Sequence, residues 1–273
     1  MSAVEALRGG KRRIAARIAL AVVLGYGVAC ACGLPPSMPF DVAWNLGEFS
    51  VDASLRAPQD GQRRVVLLQH GLWRSPWALW RLERALVAHG YEVVNPGYAS
   101  TSTTIDAAAD ALAGEVQSTF AASIYGAKIA FVGHSMGGLV VQESLRRLPT
   151  LSPFACVYVA VPHRGAVLCD MRKRWWPFPW IMGEGAAMQL SPGDALHTRP
   201  ILHADRSGCI VGDLGDGNAS IEGNDDGTVG VGEATLSGAA DRVTLSLGHT
   251  RIASSDETIR QVLAFLQQGR FSR

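Results

Sequence analysis

The chain carries KIAFVGHSMGGLVVQESLRRL at residues 128–148, and its pattern changes twice along this stretch. The first five residues are a mostly apolar run, which is typical of a buried strand. From Gly138 onward the apolar residues recur with helical spacing. Between the two lies Gly-His-Ser-Met-Gly, with Ser135 at its centre. A strand, a sharp turn and a helix with a serine at the apex predict a hydroxyl that is presented to a substrate.

Two glycines flank this serine, and the sharp turn requires both of them. A Cβ at Gly133 or Gly137 would collide with the backbone that crosses beside the turn. The turn also forces Ser135 into a strained backbone conformation. Ser135 is therefore the candidate nucleophile, but the five-residue pattern also occurs by chance, so the prediction depends on partners elsewhere in the chain.

Predicted strands and helices alternate along the rest of the chain. Continuous apolar strands between amphipathic helices predict an α/β domain with a mostly parallel central sheet and helices on both faces. In such sheets the active site lies at the carboxyl ends of the strands, which is where Ser135 falls. Phe49, Val51 and Leu55 form a candidate edge strand. The predicted strands are residues 65–69, 92–95, 128–132, 155–161, 209–211 and 243–247, and the predicted helices are 77–88, 105–120, 138–148 and 257–266.

Composition limits the classes of function. The chain has 273 residues, 48% hydrophobic and 18% charged, which fits one sizeable globular domain. A formal net charge of +1 gives no electrostatic reason to expect a nucleic-acid partner. Beyond residue 34 three cysteines remain, so one disulfide at most is expected. No spacing of cysteines and histidines resembles a metal site, and we predict neither a metal nor another cofactor.

Residues 1–34 form a separate N-terminal hydrophobic leader. Five basic residues between positions 8 and 17 precede an uncharged stretch at 18–34, which is typical of a signal peptide or a membrane anchor. The small residues before Cys32, and less closely those before Cys30, also resemble a bacterial lipoprotein cleavage site. Each interpretation predicts an extracytoplasmic protein, bound to the membrane if the leader is retained or lipidated.

The remaining chain divides into two parts. Residues 35–63 begin with a proline-rich run and are predicted to be a linker that includes the candidate edge strand. Residues 64–273 are predicted to be the catalytic domain.

A serine hydroxyl needs a base that removes its proton and a carboxylate that orients this base. In sheets with this serine turn, the partners follow in the order serine, acid, histidine. His249 is the only histidine after the acidic cluster near residue 225, so it is the predicted base. Asp226, directly before Gly-Thr-Val, is the predicted acid, with Asp225 and then Asp213 as alternatives. The same aspartates, with Asp216, could instead form a solvated turn or a calcium loop.

The charge that develops on a substrate carbonyl oxygen needs two backbone N–H donors. One is expected from Met136, which follows the serine at a helix N-terminus. The other is expected from Leu72 in the loop QHGLW at residues 69–73. In that loop Gly71 lets the backbone approach the substrate, and His70 is a second supporting residue.

In their order along the chain these motifs resemble those of the α/β-hydrolase superfamily, and within it bacterial lipases and carboxylesterases. The resemblance implies the α/β-hydrolase fold and a serine hydrolase that forms an acyl-enzyme on Ser135. The segment VAVPHRG at 159–165 is similar to a lipase segment closer to GTPHxG, but its first glycine and its threonine are replaced. The matching segments are QHGLW (69–73), GHSMGG (133–138), NDDGTV (224–229) and GHT (248–250).

Where such lipases insert a cap, this chain has a small insertion at about residues 166–200. Its basic residues followed by aromatic ones suit a lid over an acyl pocket or a membrane interface. Packing of the aromatic side chains onto the core is an equal alternative. The candidate lid and substrate residues are Trp175, Trp176, Phe178 and Trp180.

The resemblance and the motifs together predict a carboxylic-ester hydrolase that acts on a small-molecule or lipid ester. Two alternatives stay open. The same three side chains could serve an acyltransferase or a thioesterase, or the chain could be a catalytically inactive binding protein on this fold.

Overall fold

The computed structural model describes Asp41, Asn45 and residues 49–121, 126–173 and 185–273. The predicted leader at 1–34 lies outside these residues, as do the four aromatic residues predicted for the lid. Within the described part of the chain, no helix is long and apolar enough to cross a membrane.

The central sheet has six strands, and all neighbouring strands run parallel, which confirms the predicted fold class. They are β1 (Arg64–Gln69), β2 (Glu92–Val94), β3 (Lys128–His134), β4 (Ala155–Val159), β5 (Ser207–Gly212) and β6 (Asp241–Leu245). Their order across the sheet is β2-β1-β3-β4-β5-β6. Gln69 at the end of β1 pairs with Gly133 of β3, so the loops after these two strands leave the sheet side by side.

The inner strands are apolar on both sides because helices cover both faces of the sheet. In β1, Val65 and Leu67 point into one hydrophobic cluster, while Val66 and Leu68 point into the other. All four side chains are fully buried. A strand in this position has a continuous apolar run instead of an alternating one.

Residues 49–121, 126–173 and 185–273 form seven α-helices, and the four long ones lie close to their predicted positions. They are α1 (Trp80–Ala88), α2 (Ile105–Ala121), α3 (Met136–Arg146), α4 (Val167–Arg172), α5 (Ala186–Gln189), α6 (Val231–Ala234) and α7 (Asp256–Gln268). Residues of α2 and α3 belong to the first hydrophobic cluster, and residues of α1 and α7 belong to the second. These two pairs of helices therefore cover opposite faces of the sheet.

The ends of α7 follow from local chemistry. Ser255 is its N-cap, and its Oγ accepts a hydrogen bond from the Thr258 N–H at 3.0 Å. Gly269 ends the helix in the left-handed conformation, with φ 70°.

Two predicted boundaries shift because of residues with positive φ. The strand predicted at 155–161 ends at Val159, since Ala160 has φ 49° and cannot continue the extended backbone. The helix predicted from Gly138 begins at Met136, because the turn at Ser135 itself is its N-cap.

The prediction of an edge strand at Phe49, Val51 and Leu55 is wrong, because residues 49–55 form no strand. Asp52 Oδ1 accepts a hydrogen bond from the Ser54 N–H at 2.9 Å, and this turn starts a short 3₁₀ helix at Ala53–Leu55. Leu55 is buried in the second hydrophobic cluster, whereas Val51 is exposed. The sheet edges are β2 and β6.

The connection between β4 and β5 contains the insertion predicted at about 166–200. Its described parts include α4 and α5. Gln189 of α5 ties the insertion to α2, because its Oε1 accepts from the Ile105 N–H at 2.6 Å and its Nε2 donates to Asp106 Oδ2 at 3.0 Å. The insertion is thus fixed beside the start of α2.

Candidate active site

Ser135 lies at the apex between β3 and α3, with φ 55° and ψ −131°. Its N–H donates to the Val159 carbonyl at 2.9 Å, which fixes the apex to the neighbouring strand β4. The side chain is half-buried and lines a cavity. A serine at positive φ is uncommon, and such strain is typical of functional positions.

The flanking glycines let three backbone segments pass close to one another. A Cβ on Gly133 would lie 2.5 Å from the Gly138 Cα. A Cβ on Gly137 would lie 2.6 Å from the Gln69 carbonyl carbon, and closer still to its oxygen. Real Cβ atoms do not come this close to backbone atoms, so larger residues at these positions would push β3, α3 and the loop after β1 apart.

His249 lies between Ser135 and Asp226 and contacts both. Ser135 Oγ is 2.9 Å from His249 Nε2, and His249 Nδ1 is 2.7 Å from Asp226 Oδ2. The carboxylate can only accept, so Nδ1 carries the proton and Nε2 is free to accept the serine hydroxyl. The backbone N–H of His249 also donates to the Asp226 carbonyl at 2.9 Å, which holds the two loops together.

Asp226 is held by its own turn. Its Oδ1 accepts from the backbone N–H groups of Thr228 and Val229, at 2.9 Å and 2.7 Å. Oδ2 is then left to face His249. The carboxylate is buried, with 1% of the side chain exposed, so its orientation is fixed before any substrate binds.

The two alternative acids point elsewhere. The carboxylate oxygens of Asp225 accept from the backbone N–H groups of Gly227 and Asn218, at 2.6 Å and 2.9 Å. Asp213 accepts from the Gly215 N–H and the Asn224 amide, and these hydrogen bonds lower its pKa. Among the described residues, no group of three or more histidine, cysteine or acidic side chains could hold a metal ion.

The two predicted oxyanion donors both belong to segments next to Ser135. Met136 is the first residue of α3, where the backbone N–H groups point out of the helix. Leu72 lines the same cavity as Ser135. A Cβ on Gly71 would lie 2.9 Å from the Ser135 Cβ, so the loop after β1 passes directly beside the serine.

His70 supports this loop from within the protein. Its Nδ1–H donates to the Gly71 carbonyl at 3.0 Å, and its ring stacks on Tyr98 with centroids 4.4 Å apart. The Tyr98 hydroxyl donates to the His70 carbonyl at 2.8 Å. Burial lowers the pKa of His70 to about 4, so the ring is neutral near pH 7.

His134 is a site residue that sequence reasoning missed. It precedes the serine, and its Nε2–H donates to the His249 backbone carbonyl at 2.9 Å. Burial, with the nearby His249 and Arg74, lowers the pKa of His134 well below its ordinary value. The motif G-x-S-x-G accepts any residue at the position of His134, so the sequence does not predict this contact. The partner lies 115 residues further along the chain.

The segment at 159–165 connects the end of β4 to the insertion along the chain. Its His163 is buried, and the Gln142 amide donates to His163 Nδ1 at 2.7 Å. Burial lowers the pKa of His163 to about 3. This histidine therefore belongs to the packing between α3 and the segment, whereas Pro162 lines the cavity.

A cavity of about 380 Å³ opens beside Ser135 and His249. Arg74, Arg172 and Cys169 also face it, and burial raises the pKa of the Cys169 thiol to about 11. The surface around the serine is thus mainly apolar, with a few polar groups near the reacting atoms. The apolar lining residues are Leu72, Trp73, Pro162, Ala166, Leu168, Leu190 and Val229.

The sequence matches the profile of the alpha/beta hydrolase family over residues 65–264. No curated protein matches the chain by sequence.

Among solved structures, the chain is similar to the mature lipase BlEst2 of Bacillus licheniformis. The two are 18% identical with a TM-score of 0.61, over 80% of this chain and 96% of that one. Phospholipase PlaB of Legionella pneumophila is 17% identical with a TM-score of 0.59, over 77% of this chain and 61% of that one. The type II thioesterase BorB of the borrelidin biosynthetic cluster is 18% identical with a TM-score of 0.53, over 80% and 96%.

Proposed function

The chain belongs to the alpha/beta hydrolase family, and we propose that it hydrolyses carboxylic esters through an acyl-enzyme on Ser135. One observation carries the proposal. Ser135 Oγ, the His249 ring and the Asp226 carboxylate form one line of hydrogen bonds, with distances of 2.9 Å and 2.7 Å. General-base activation of a serine needs this arrangement.

In the first half of the reaction, Ser135 Oγ attacks the ester carbonyl carbon while His249 Nε2 takes the hydroxyl proton. Asp226 keeps the ring in the reactive tautomer and stabilises the imidazolium that forms. The tetrahedral intermediate then collapses, the bond to the alkoxy oxygen breaks, and His249 returns the proton to the leaving alcohol.

The oxygen of the tetrahedral intermediate carries a negative charge that needs donors. In our proposal the N–H groups of Leu72 and Met136 supply them, one from the loop after β1 and one from the start of α3. Loss of one such donor typically costs about 3 kcal/mol of transition-state stabilisation. The second half of the reaction repeats these steps with water, which His249 deprotonates as it attacks the acyl-enzyme.

The cavity supports an apolar acyl group as part of the substrate. Seven apolar side chains line it, and burial of each acyl CH₂ against them would contribute about 0.8 kcal/mol. The described lining residues include no acidic side chain, whose charge would lose its hydration when an apolar group is buried against it.

The first test is a screen of the full-length protein against p-nitrophenyl esters of increasing chain length, combined with labelling by a fluorophosphonate probe. We expect hydrolysis and labelling in the wild type and neither in Ser135→Ala. The exposed Ser102 is the matched control, and Ser102→Ala should behave like the wild type. Equal labelling of the wild type and Ser135→Ala would contradict the proposal.

The same assay separates the two alternative activities of such an acyl-enzyme. A thioesterase would prefer an acyl thioester over the matching oxygen ester. An acyltransferase would convert an added alcohol to a new ester, whereas a hydrolase releases the free acid even when that alcohol is present.

We further propose that the leader at 1–34 directs the protein out of the cytoplasm. The support is its basic region followed by an apolar stretch. Fractionation of cells with an antibody against the C-terminus tests this, and a protein found only in the cytoplasm would contradict it.

A further inference from the structure

A buried ion pair joins the chain ahead of β1 to the loop that follows β1. Arg74 Nη1 donates to Asp41 Oδ1 at 2.8 Å, and the Asp41 side chain is 1% exposed. The other oxygen, Oδ2, accepts from the Ser75 N–H at 3.2 Å and from the Ser75 hydroxyl at 3.0 Å. One carboxylate thus holds two consecutive residues of the loop.

Arg74 also reaches the loop of the predicted base. Its Nη2 donates to Thr250 Oγ1 at 2.7 Å, and Thr250 directly follows His249. The backbone of Arg74 belongs to the loop of the predicted oxyanion donor Leu72, since its N–H donates to the Gly71 carbonyl at 3.3 Å. One planar guanidinium therefore spans the loop that carries Leu72 and the loop that carries His249.

Asn45 makes a second connection from the same segment. Its amide donates to the Asp41 carbonyl at 2.7 Å, and its Oδ1 accepts from the Arg81 N–H at 3.3 Å. Arg81 Nη1 in turn donates to the Ser254 carbonyl at 3.0 Å, on the far side of the turn that follows His249. Asp41 thus contacts the loop after β1 directly, and both Asp41 and Asn45 connect to the chain after His249 through an arginine.

We infer that Asp41 and Arg74 are positioning residues of the active site. Together they set the distance between the loop that carries Leu72 and the loop that carries His249, so Asp41 contributes to catalysis although it lies within the predicted linker. The inference rests on the proposed ester hydrolysis. Its physical basis is that displacement of reacting groups by about 1 Å can cost up to 100-fold in rate.

The arrangement depends on the shape of arginine as well as on its charge. A guanidinium has donors on two sides of a rigid plane, so it can hold Asp41 and Thr250 at the same time. A lysine ammonium can pair with Asp41 but has no such fork. We therefore expect Arg74→Lys to keep most of the thermal stability while it loses rate.

The test measures kcat, KM and the unfolding midpoint in the full-length protein for Asp41→Asn, Arg74→Gln, Arg74→Lys and the double variant Asp41→Asn/Arg74→Gln. We expect kcat to fall about 10- to 100-fold in each single variant, with KM changed less than about threefold. The double variant should be no slower than the slower single variant, because the two residues act as one unit.

The matched control is Arg64→Gln. Arg64 makes a two-pronged ion pair with Asp60 at 2.7 Å, and it lies at the amino end of β1, away from the active site. It should lower the unfolding midpoint and leave kcat unchanged. If Arg74→Gln behaves like this control, with a lower midpoint and the wild-type kcat, Arg74 has a structural role only and the inference is wrong.

If the Asp41 and Arg74 variants fold poorly, another variant still tests the inference. Thr250→Val removes one hydroxyl and keeps the side-chain shape, and it should lower kcat about three- to tenfold with little change in the unfolding midpoint. An unchanged kcat in a folded Thr250→Val would also contradict the inference. A wild-type protein without esterase activity would overturn the proposed function itself, whereas an active wild type with unaffected variants overturns only the inference.

Discussion

At the scale of single residues, the adjacent Asp225 and Asp226 have different surroundings. The Asp226 carboxylate has one oxygen on two backbone N–H groups of its own turn and the other on His249. Both oxygens of Asp225 accept from backbone N–H groups of the surrounding loop. The first carboxylate is therefore suited to orient an imidazole, and the second is suited to hold a loop in shape.

Replacement of each aspartate by asparagine should separate these roles. In Asp226→Asn the amide oxygen can still accept from Thr228 and Val229, but the carboxylate that fixes the His249 tautomer is lost. We expect kcat to fall about 10³- to 10⁴-fold with a small loss of stability.

The matched variant is Asp225→Asn, which should keep kcat within a few-fold of the wild type. It places an NH₂ group opposite a backbone N–H, so we expect the free energy of unfolding to fall by about 1–3 kcal/mol. Steady-state kinetics and urea unfolding of both variants measure the two effects. A reversed pattern, with the larger rate loss in Asp225→Asn, would assign the acid to the other residue.

Residue-level contacts differ in how well a sequence predicts them. His249 could be predicted as a neighbour of Ser135, because the order of partners and the position after the last strand leave one histidine. The contacts of His134 and Arg74 could not, because both depend on which loops meet after folding. No sequence pattern around either residue indicates its partner.

At the scale of secondary-structure elements, the close approach of β1, β3 and α3 depends on Gly137. Gly137→Ala would put a methyl group against the Gln69 and His70 carbonyl oxygens, which cannot move without disturbing β1. We expect a loss of at least about 2 kcal/mol of stability and a large loss of activity.

The control for this change is Gly114→Ala, on the exposed side of α2 with no atom near the added methyl group. Alanine is a better helix former than glycine, so this variant should gain about 0.5–1 kcal/mol. Thermal unfolding of the two variants gives the comparison. A Gly137→Ala protein as stable as the wild type would show that the backbone segments can separate without cost.

Elements with strong apolar patterns could be predicted, and short ones could not. The positions of all six strands and of the four long helices could be predicted within a few residues, because the core imposes their periodicity. The segment at 49–55 has an alternating pattern, but the Asp52 turn decides its structure. Local hydrogen bonding of this kind competes with strand formation, and an apolar pattern does not report it.

At the scale of the whole molecule, three histidines are buried as neutral rings. Burial lowers the pKa of His70 to about 4 and of His163 to about 3, and it lowers that of His134 well below its ordinary value of 6.5. In the unfolded chain all three would have pKa values near 6.5. Below that pH the unfolded state therefore binds protons that the native state excludes.

The sign of the effect follows directly. The stability from these rings is fully present above pH 6.5 and is lost as the pH falls below 6.5, down to about pH 4 for His70 and about pH 3 for His163. Each histidine contributes a slope of up to about 1.4 kcal/mol per pH unit in that range. Urea unfolding between pH 7.5 and pH 5 measures the total slope, which should fall by about a third in His163→Asn. A free energy of unfolding that stays constant over this range would contradict the burial of the neutral rings.

The overall architecture could be predicted as a class but not as a topology. Apolar strands alternating with amphipathic helices indicate a parallel sheet, yet they do not say which strands are neighbours. The observed order puts β1 between β2 and β3, and this brings the loops of Leu72 and Ser135 together. The prediction for the leader at 1–34 stays a prediction, because these residues lie outside the described part of the chain.

In the proposed mechanism Ser135 and His249 act as one catalytic unit, and kcat of the two single variants and of their double variant distinguishes this from independent action. If neither side chain contributes to the rate without the other, the same residual kcat is expected for all three variants, Ser135→Ala, His249→Ala and Ser135→Ala/His249→Ala. Double-variant kinetics in which the two losses multiply, or a His249→Ala protein within tenfold of the wild-type rate, would show that the two side chains do not act as one unit.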